Sequence, residues 1–515
     1  MSDSIPAAAE PKPYTASARQ IYSWAAGGVT MHLLITLYGQ AMKLLTVGLG
    51  LSALVVSLSM MLPRVVDALA DPILGHLSDN THTRWGRRKP FLIIGSSLGC
   101  FFLFLLWWGD KEWSSTAQLI YLTVVGTLFY TSWGLYSMSY TALGYELTDD
   151  YNERSKIAGI AGIVTSIILL INGGVFWFTL RPMFHHGLIQ TMRDLISHGF
   201  DWAHINAVLK TAFTTVPDQP TNEINGIRWV TGVAVIVAMT AAIITAKGCK
   251  ERFVKANTSH PSSIGTALKA TLKNRPFLCL MVYKLCQLLG ERVFQGLLLF
   301  IGIYFVCGGD KAQYSQMDFW GGVGCGIIII FLMPFLKAFS MKLGKRAGLI
   351  LPSSVAVLLL LAQPFLLREH QPFLLLVPLL MLPLLSIIST TLMNAIVPDI
   401  CDMDELEHGE RREGLFTAVV AFMNKLEISL AFFIVGLLVK LAGVDEKTMH
   451  QAPEVLQRLL WIAIGMGVLF SAGALFASFK FKMDEAMMDD IRRQLEARRQ
   501  ARSLAAREDA PDSAA

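Results

Sequence analysis

Residues 163–180 read IVTSIILLINGGVFWFTL, eighteen consecutive positions without a charge. As a helix rising about 1.5 Å per residue, such a run crosses most of the roughly 30 Å of hydrocarbon in a bilayer. Comparable runs recur at 230–246, 321–336 and 349–367. Over the whole chain of 515 residues, hydrophobic types make up 53% and charged types only 16%, where a soluble protein carries about 25% charged residues. The deficit follows if the solvent is lipid. A soluble enzyme is excluded, and so is a porin, whose strands would show short alternating segments.

Apolar runs set against turn and charge punctuation give about twelve spans, near 21–42, 49–78, 90–109, 117–145, 154–180, 227–247, 277–306, 318–337, 347–367, 372–398, 414–441 and 456–479, each at the length a helix needs. The fold class is therefore an all-α membrane protein of two six-helix bundles. Residues 1–20 form a polar tail without the apolar core of a signal peptide. The first bundle covers 21–247 with an outer-side insertion at 181–228, a basic linker follows at 248–276, and the second bundle covers 277–480. Residues 481–515 make a cytoplasmic amphipathic, Arg-rich helix expected along the inner leaflet, then a polar tail. With both termini inside, most Lys and Arg fall in the cytoplasmic loops, as in a multi-pass protein of the inner membrane. The net charge of +5 is then a topology signal and does not call for nucleic acid. Cys100, Cys249, Cys279, Cys286, Cys307, Cys325 and Cys401 lack CxxC spacing and read as free thiols. The insertion's His185, His186, His198 and His204 lack a ligand pattern and read as a solvated cap.

The two halves echo each other. After the second span comes a tight turn with Asp79, Gly86, Arg87, Arg88 and Lys89, and after the eighth Gly344, Lys345 and Arg346. After the fourth span lie Glu146, Glu153 and Arg154, and after the tenth Asp399, Asp402, Asp404, Arg411 and Arg412. Charged loops at matched positions of duplicated halves are the pattern of a transporter whose halves rock about a central site. Asp79, Arg87, Arg88, Glu153, Arg154, Arg411 and Arg412 are accordingly candidates for an inner gate of ion pairs, or for topology anchors alone.

Ionisable residues deep in a span cost about 2.5–3.5 kcal/mol each on insertion scales and point to function. The second span carries Arg64, Asp67 and Asp71 at i, i+3 and i+7, on one helical face. Two carboxylates a turn apart can chelate Na⁺ or share a proton, and Arg64 can neutralise the empty site. Lys284 and Glu291 in the seventh span lie seven apart on one face. Lys425 and Glu427 sit near mid-membrane in the eleventh span and, two apart, point in different directions, so neither is the other's partner. Lys425 is expected to reach the central cavity or the second-span acids. Arg64, Lys284, Glu291, Lys425 and Glu427 are candidate coupling groups. Trp133, Tyr136 and Tyr140 are aromatics able to stack on sugar rings or to pack helices.

The stretch from Asp67 through Asp71, Pro72, Gly75, Asp79, Thr83 and Gly86 to Pro90 resembles the second-span signature of the glycoside/pentoside/hexuronide:cation symporters, the melibiose-permease-like branch of the major facilitator superfamily. Leu147…Glu153-Arg154, Lys273-Asn-Arg-Pro276 and Gly409…Glu413-Gly…Lys425 match in order, so the resemblance covers about residues 20–480. It implies the major facilitator fold, Asp67 and Asp71 as coupling-cation carboxylates joined by the Thr131 hydroxyl, and Lys425 as the eleventh-span lysine. Ala70 stands where melibiose-type proteins often have a polar residue. The charged sugar-binding groups of melibiose-type carriers would fall at Thr30, Gly134 and Gly162, so this cavity is less charged, with Trp133, Tyr136, Tyr140, Thr417 and Asn424 as candidate contacts.

The expected function is a secondary active transporter, not an enzyme, importing a sugar or glycoside coupled to Na⁺ or H⁺ by alternating access. A lysolipid-like amphiphile as cargo and an uncoupled uniporter are the alternatives. No cofactor and no metal beyond a coupling Na⁺ is expected, and the partners are a small-molecule substrate and the bilayer, with the protein monomeric.

Overall fold

Ser17 and Gln20 open the first helix by a reciprocal cap: the Ser17 hydroxyl accepts from the Gln20 amide, and the Gln20 side chain accepts from the Ser17 amide. Two of the amides a helix start leaves bare are thereby answered. The computed structural model describes residues 16–81, 83–148, 151–181, 223–251, 274–409, 412–448, 450–481, 483 and 485–508. Most of the insertion at 181–228, most of the linker at 248–276 and the start of the N-terminal tail lie outside the described residues.

The long helices are α1 (Ala18–Gly39), α2 (Ala53–Asn80), α3 (Lys89–Leu106), α4 (Ser115–Tyr145), α5 (Tyr151–Thr179), α6 (Glu223–Gly248), α7 (Arg275–Phe300), α8 (Lys311–Leu343), α9 (Lys345–Leu361), α10 (Leu376–His408), α11 (Glu413–Ala442), α12 (Pro453–Lys480) and α13 (Glu485–Glu508). Among the described residues, ten helices are long and apolar enough to cross a bilayer. The other two of the twelve expected positions belong to α1 and α9. Gln20, Tyr22, Ser23, Thr30 and His32 dilute the apolar character of α1. The span expected to reach 367 is broken instead at Leu361, because Pro364 disfavours the helical backbone just before it, and a single separate turn follows at Gln363–Leu366. Left-handed glycines stop α10 and α11, with φ of +77° at Gly409 and +85° at Gly443, where any side chain would be strained.

One regularity was not foreseen. A π-helical stretch follows α1 at Met42–Gly48, and another extends α7 at Ile301–Val306, and each ends near a glycine of positive φ, Gly50 and Gly308. The first helix of each expected half thus continues in the same uncommon way.

Contacts group the chain into two units. The first is Met1–Ala41, Leu69–Glu112 and Ile120–Asn257; the second is Met42–Ala68, Trp113–Leu119 and Thr258–Ala515. The division passes through α2 between Ala68 and Leu69.

In the first unit α1 packs on α6, α5 and α3. With lipid outside, helices associate through close packing and interhelical hydrogen bonds, and both are present. Thr30 Oγ1 donates to the Ala238 carbonyl at 2.7 Å and Thr245 Oγ1 to the Ser23 carbonyl at 2.8 Å, fastening α1 to α6. Gly95 on α3 meets α4 so closely that an added Cβ would lie 2.8 Å from the Ser132 carbonyl oxygen and from the Tyr136 nitrogen.

In the second unit α7 is the central helix. Within its most apolar window 78% of residues are buried, against 18–44% in the other candidate spans. It packs on α12, α11 and α10, and α9 packs between α10 and α12. Phe277, Leu280, Met393, Ile396, Phe416 and Ala474 form the core between these helices. The amphipathic helix α13 puts its apolar residues Met488, Ile491 and Leu495 into the same core. Its Arg492 reaches Asp399 at 3.1 Å and its Arg498 donates to the Leu406 carbonyl at 2.7 Å. The face expected along the inner leaflet is therefore packed on protein, where α10 offers both apolar surface and acceptors.

The contact at Gly95 yields a stability test. Gly95→Val should destabilise the protein by about 1–3 kcal/mol, because the opposing atoms are backbone and cannot yield. Gly99→Ala, whose new methyl would meet only ordinary contacts at 3.7–3.9 Å, should leave the thermal midpoint of the detergent-purified protein unchanged. A Gly95→Val midpoint equal to wild type would show that α3 and α4 do not approach as described.

Candidate functional site

Three helices of the second unit place charges at membrane depth. The N-terminal part of α2 supplies Arg64 and Asp67, α7 supplies Lys284, Glu291 and Arg292, and α11 supplies Lys425 and Glu427. Two ion pairs join them. Lys425 Nζ lies 2.6 Å from Asp67 Oδ2, linking α11 to α2, and Arg292 Nε lies 2.8 Å from Glu427 Oε1, linking α7 to α11. Both carboxylates are buried, Asp67 at 1% exposure and Glu427 at 2%. Arg64 and Lys284 lie within electrostatic reach of Glu427. Because α11 turns about 100° per residue, Lys425 and Glu427 diverge and each finds its partner on a different helix.

Lys425 thus takes up the second of the two directions expected for it, toward the second-span acids. Arg292 is a further charge in the apolar run of α7. Its partner depends on the azimuth of α7 against α11, which one sequence does not contain. Lys284 and Glu291 are both buried on α7. The Gln295 side-chain amide donates to Glu291 Oε1 at 3.3 Å.

Asp71 follows Asp67 by one turn of α2. In the first unit, Thr131 on α4 donates its hydroxyl to the Thr127 carbonyl at 2.9 Å, the usual way a threonine answers its own polar atom inside a membrane helix. The hydroxyls of Ser78 on α2 and Ser139 on α4 are 3.3 Å apart. Beside them Gly75, Ser78, Arg88, Ser137, Thr141 and Tyr145 line a cleft of about 340 Å³.

The α4 aromatics are joined to α1. Tyr136 is fully buried and its hydroxyl donates to the Gly27 carbonyl at 2.8 Å. Tyr140 stacks on Trp24 with ring centroids 5.0 Å apart, while Trp24 Nε1 donates to the Tyr140 carbonyl at 3.1 Å. Trp133 Nε1 donates to the Met31 carbonyl at 3.0 Å. Thr417 and Asn424 are exposed on α11.

Charged residues near the helix ends form ion pairs within each unit. Arg87 Nη2 and Arg88 Nη2 lie 2.8 Å and 3.1 Å from Glu146 Oε1. At the matched position of the second unit, Lys345 pairs with Asp399. Arg412 grips Asp404 through two nitrogens at 2.8 Å and 2.6 Å, a bidentate geometry. Glu153 accepts from the Ala16 amide at 3.1 Å. The side chains of Asp79 and Arg154 and the whole of Arg411 lie outside the described residues.

Sequence reading missed Glu251. Its carboxylate accepts from the backbone amides of Arg87, Arg88 and Lys89 at 2.6, 3.0 and 2.9 Å, and so caps α3, whose N-terminus lacks a side-chain cap of its own. Gly86, at φ +116°, makes room: a Cβ there would sit 2.6 Å from Glu251 Oε1. An acid within a basic linker is the only trace of this in the sequence. Close by, burial pushes the Cys249 thiol up to about 12, so it stays protonated and unreactive.

The chain matches the family model described as MFS/sugar transport protein over residues 24–485. An uncharacterized symporter of Synechocystis is 24% identical, covering 88% of this chain and 91% of its own length. A putative glycoside/cation symporter of Escherichia coli is 22% identical over 90% and 91%, and a glucuronide carrier protein homolog of Escherichia coli 22% identical over 79% of each. Among solved structures, a D-xylose–proton symporter superposes with a TM-score of 0.57 at 14% identity, covering 90% of this chain and 98% of that one. A nucleoside transporter gives 0.56 at 13%, over 90% and 100%. Those likenesses show the fold, two six-helix halves of the major facilitator type. With a family match running through nearly every helix described above, the chain belongs to the MFS/sugar transport protein family.

Proposed function

We propose that this protein is a secondary active transporter of the inner membrane, with both termini cytoplasmic, that imports a sugar or glycoside together with Na⁺ or H⁺ by alternating access. The observation that carries the reading is the Lys425–Asp67 pair, an ammonium 2.6 Å from a carboxylate at 1% exposure, with Asp71 one turn further along α2. A buried carboxylate must be neutralised by something. In this conformation the Lys425 ammonium does so. A coupling cation held by Asp67, Asp71 and Thr131 would replace it, freeing Lys425 and relaxing the α2–α11 tie. Cation and ammonium then compete for one charge, and the exchange biases which conformation prevails.

Arg64, Lys284, Glu291 and Glu427 tune that exchange, since a charge entering the cluster is felt by every neighbour in a medium of low dielectric. The sixfold groups of helices within 21–247 and 277–480, joined by the linker at 248–276, are the bodies that rock. The ion pairs of Glu146 with Arg87 and Arg88, and of Asp399 with Lys345, hold the inner loops in one state. Relatives described as a glucuronide carrier homolog and a glycoside/cation symporter support a glycoside as cargo, with Trp133, Thr417 and Asn424 offering polar and aromatic surface to it. By linkage, whatever factor the cation adds to substrate affinity the substrate adds to cation affinity.

Two measurements test this. Proteoliposomes offered a phenyl glucuronide, lactose or a lysolipid under an imposed Na⁺ or H⁺ gradient should accumulate one glycoside with one cation. Asp67→Asn should reduce accumulation to equilibration. Equal accumulation by that variant would remove Asp67 from coupling, and uptake of the lysolipid alone would replace the cargo class.

The second measurement concerns stability. Lys425→Met takes the ammonium away from a buried carboxylate and should cost about 3–5 kcal/mol. The double variant Asp67→Asn, Lys425→Met should recover most of that loss in a thermal unfolding cycle. Additive losses would show that the two groups do not interact.

A further inference from the structure

One face of α7 carries Lys284, Gln287, Glu291 and Gln295, at steps of three and four residues, so they stack on successive turns. Three of them are buried, Lys284 and Gln287 at 2% and Glu291 at 8% exposure. The bonding of this row is incomplete. Glu291 Oε2 and Gln287 Oε1 are buried acceptors with no hydrogen-bond partner among the described residues, and Glu291 makes no salt bridge there either. Its neighbour Arg292, turned away around the helix, is engaged with Glu427.

The groups around Glu291 are few. Lys284 and Arg292 share its helix, Glu427 comes from α11, Cys325 from α8, and from α10 comes the Ser386 hydroxyl, a side-chain hydrogen-bond partner of the carboxyl. Within the membrane, α9 and α12 bring no ionisable residue: the sequence of α12 holds none between Arg458 and Lys480, and that of α9 none after Arg346. An ionised carboxylate without a cation or a full set of donors is strongly disfavoured in such a site. The neutral acid is not, and its O–H turns one of the row's bare acceptors into a donor. A proton also needs no cavity.

We infer that Glu291 is a proton-binding site of the transport cycle, separate from the carboxylates of α2, which holds a proton in this conformation and releases it when the second unit rearranges. The inference rests on the reading of the protein as a cation-coupled symporter and deepens it by assigning a proton and its carrier. No bond between heavy atoms changes: the proton leaves the Glu291 oxygen for water admitted on rearrangement and returns from water on the other side.

Glu291→Gln is the informative variant, because an amide mimics the neutral acid in shape and donor capacity. Purified wild type at neutral pH should show an infrared carbonyl band of a protonated carboxyl that vanishes in Glu291→Gln and persists in Asp67→Asn. The thermal midpoint of Glu291→Gln should match wild type, whereas a structural carboxylate would lose stability on the same change. In proteoliposomes loaded with a pH-sensitive dye, inward movement of a phenyl glucuronide or lactose should carry protons in wild type and none in Glu291→Gln, while exchange of the same sugar across the membrane continues. A band unaffected by Glu291→Gln, or equal proton movement by the two proteins, overturns the inference and leaves the symport reading standing. A wild type that accumulates neither sugar under any gradient, yet loses the band in Glu291→Gln, overturns the symport reading and with it the carrier role, leaving only the protonated state.

Discussion

Hydrocarbon offers no hydrogen bonds, so every polar atom that enters it must be answered by the chain itself. Most of what the structure shows follows from this. The backbone closes into helices almost everywhere. Hydroxyls inside the spans bond back to carbonyls a turn away, as at Thr127, Thr131, Ser132, Ser166 and Thr240. Aromatic donors on α1 and α4 find carbonyls on each other's helix. The charges on α2, α7 and α11 sort into pairs, Lys425 with Asp67 and Arg292 with Glu427. Where the sorting is incomplete, on the buried face of α7, the chain departs from what stability alone would select.

The sequence made the fold legible because a lipid solvent leaves a coarse mark: uncharged runs of bilayer length, cations in alternate loops, and two halves with the same loop chemistry. It could not show the π-helical continuations of α1 and α7, which depend on one extra residue per turn and leave the apolar pattern intact. The break at Leu361 was written at Pro364 yet hidden by the apolar residues on both sides of it. At the site, depth and helical spacing were enough to bring Lys425 toward the acids of α2. They could not pair Arg292 with Glu427, because a few tens of degrees of helix rotation decide whether Glu291 or Arg292 faces α11. The aromatics of α4 were legible as aromatics only. Whether Tyr136 faces a cavity or the Gly27 carbonyl is settled by how closely α1 approaches, and small residues on α1 permit that approach.

The matched loops show duplication at the level of single interactions. Arg87 and Arg88 with Glu146 in one unit correspond to Lys345 with Asp399 in the other. Each set has an additional tie, and the two ties differ. In the first unit Glu251, where the linker begins, caps the loop amides. In the second, Arg492 of the C-terminal helix joins Asp399. Segments that leave the duplicated helices have thus been recruited to the same place in each unit, by different chemistry.

In the loop pairs as in the membrane pairs the acid is buried, Glu146, Asp399 and Asp404 as well as Asp67 and Glu427. An ion pair exposed on both sides contributes about 0–1 kcal/mol and is screened by salt, and neither set is of that kind. Moving a two-state equilibrium from one side to the other takes roughly 5.5 kcal/mol of differential binding. Breaking a buried pair such as Lys425–Asp67 without replacement costs about 3–5 kcal/mol, a term of the needed size. On the reading proposed above, exchanging the charge that neutralises Asp67 is thus a change large enough to bias which conformation prevails.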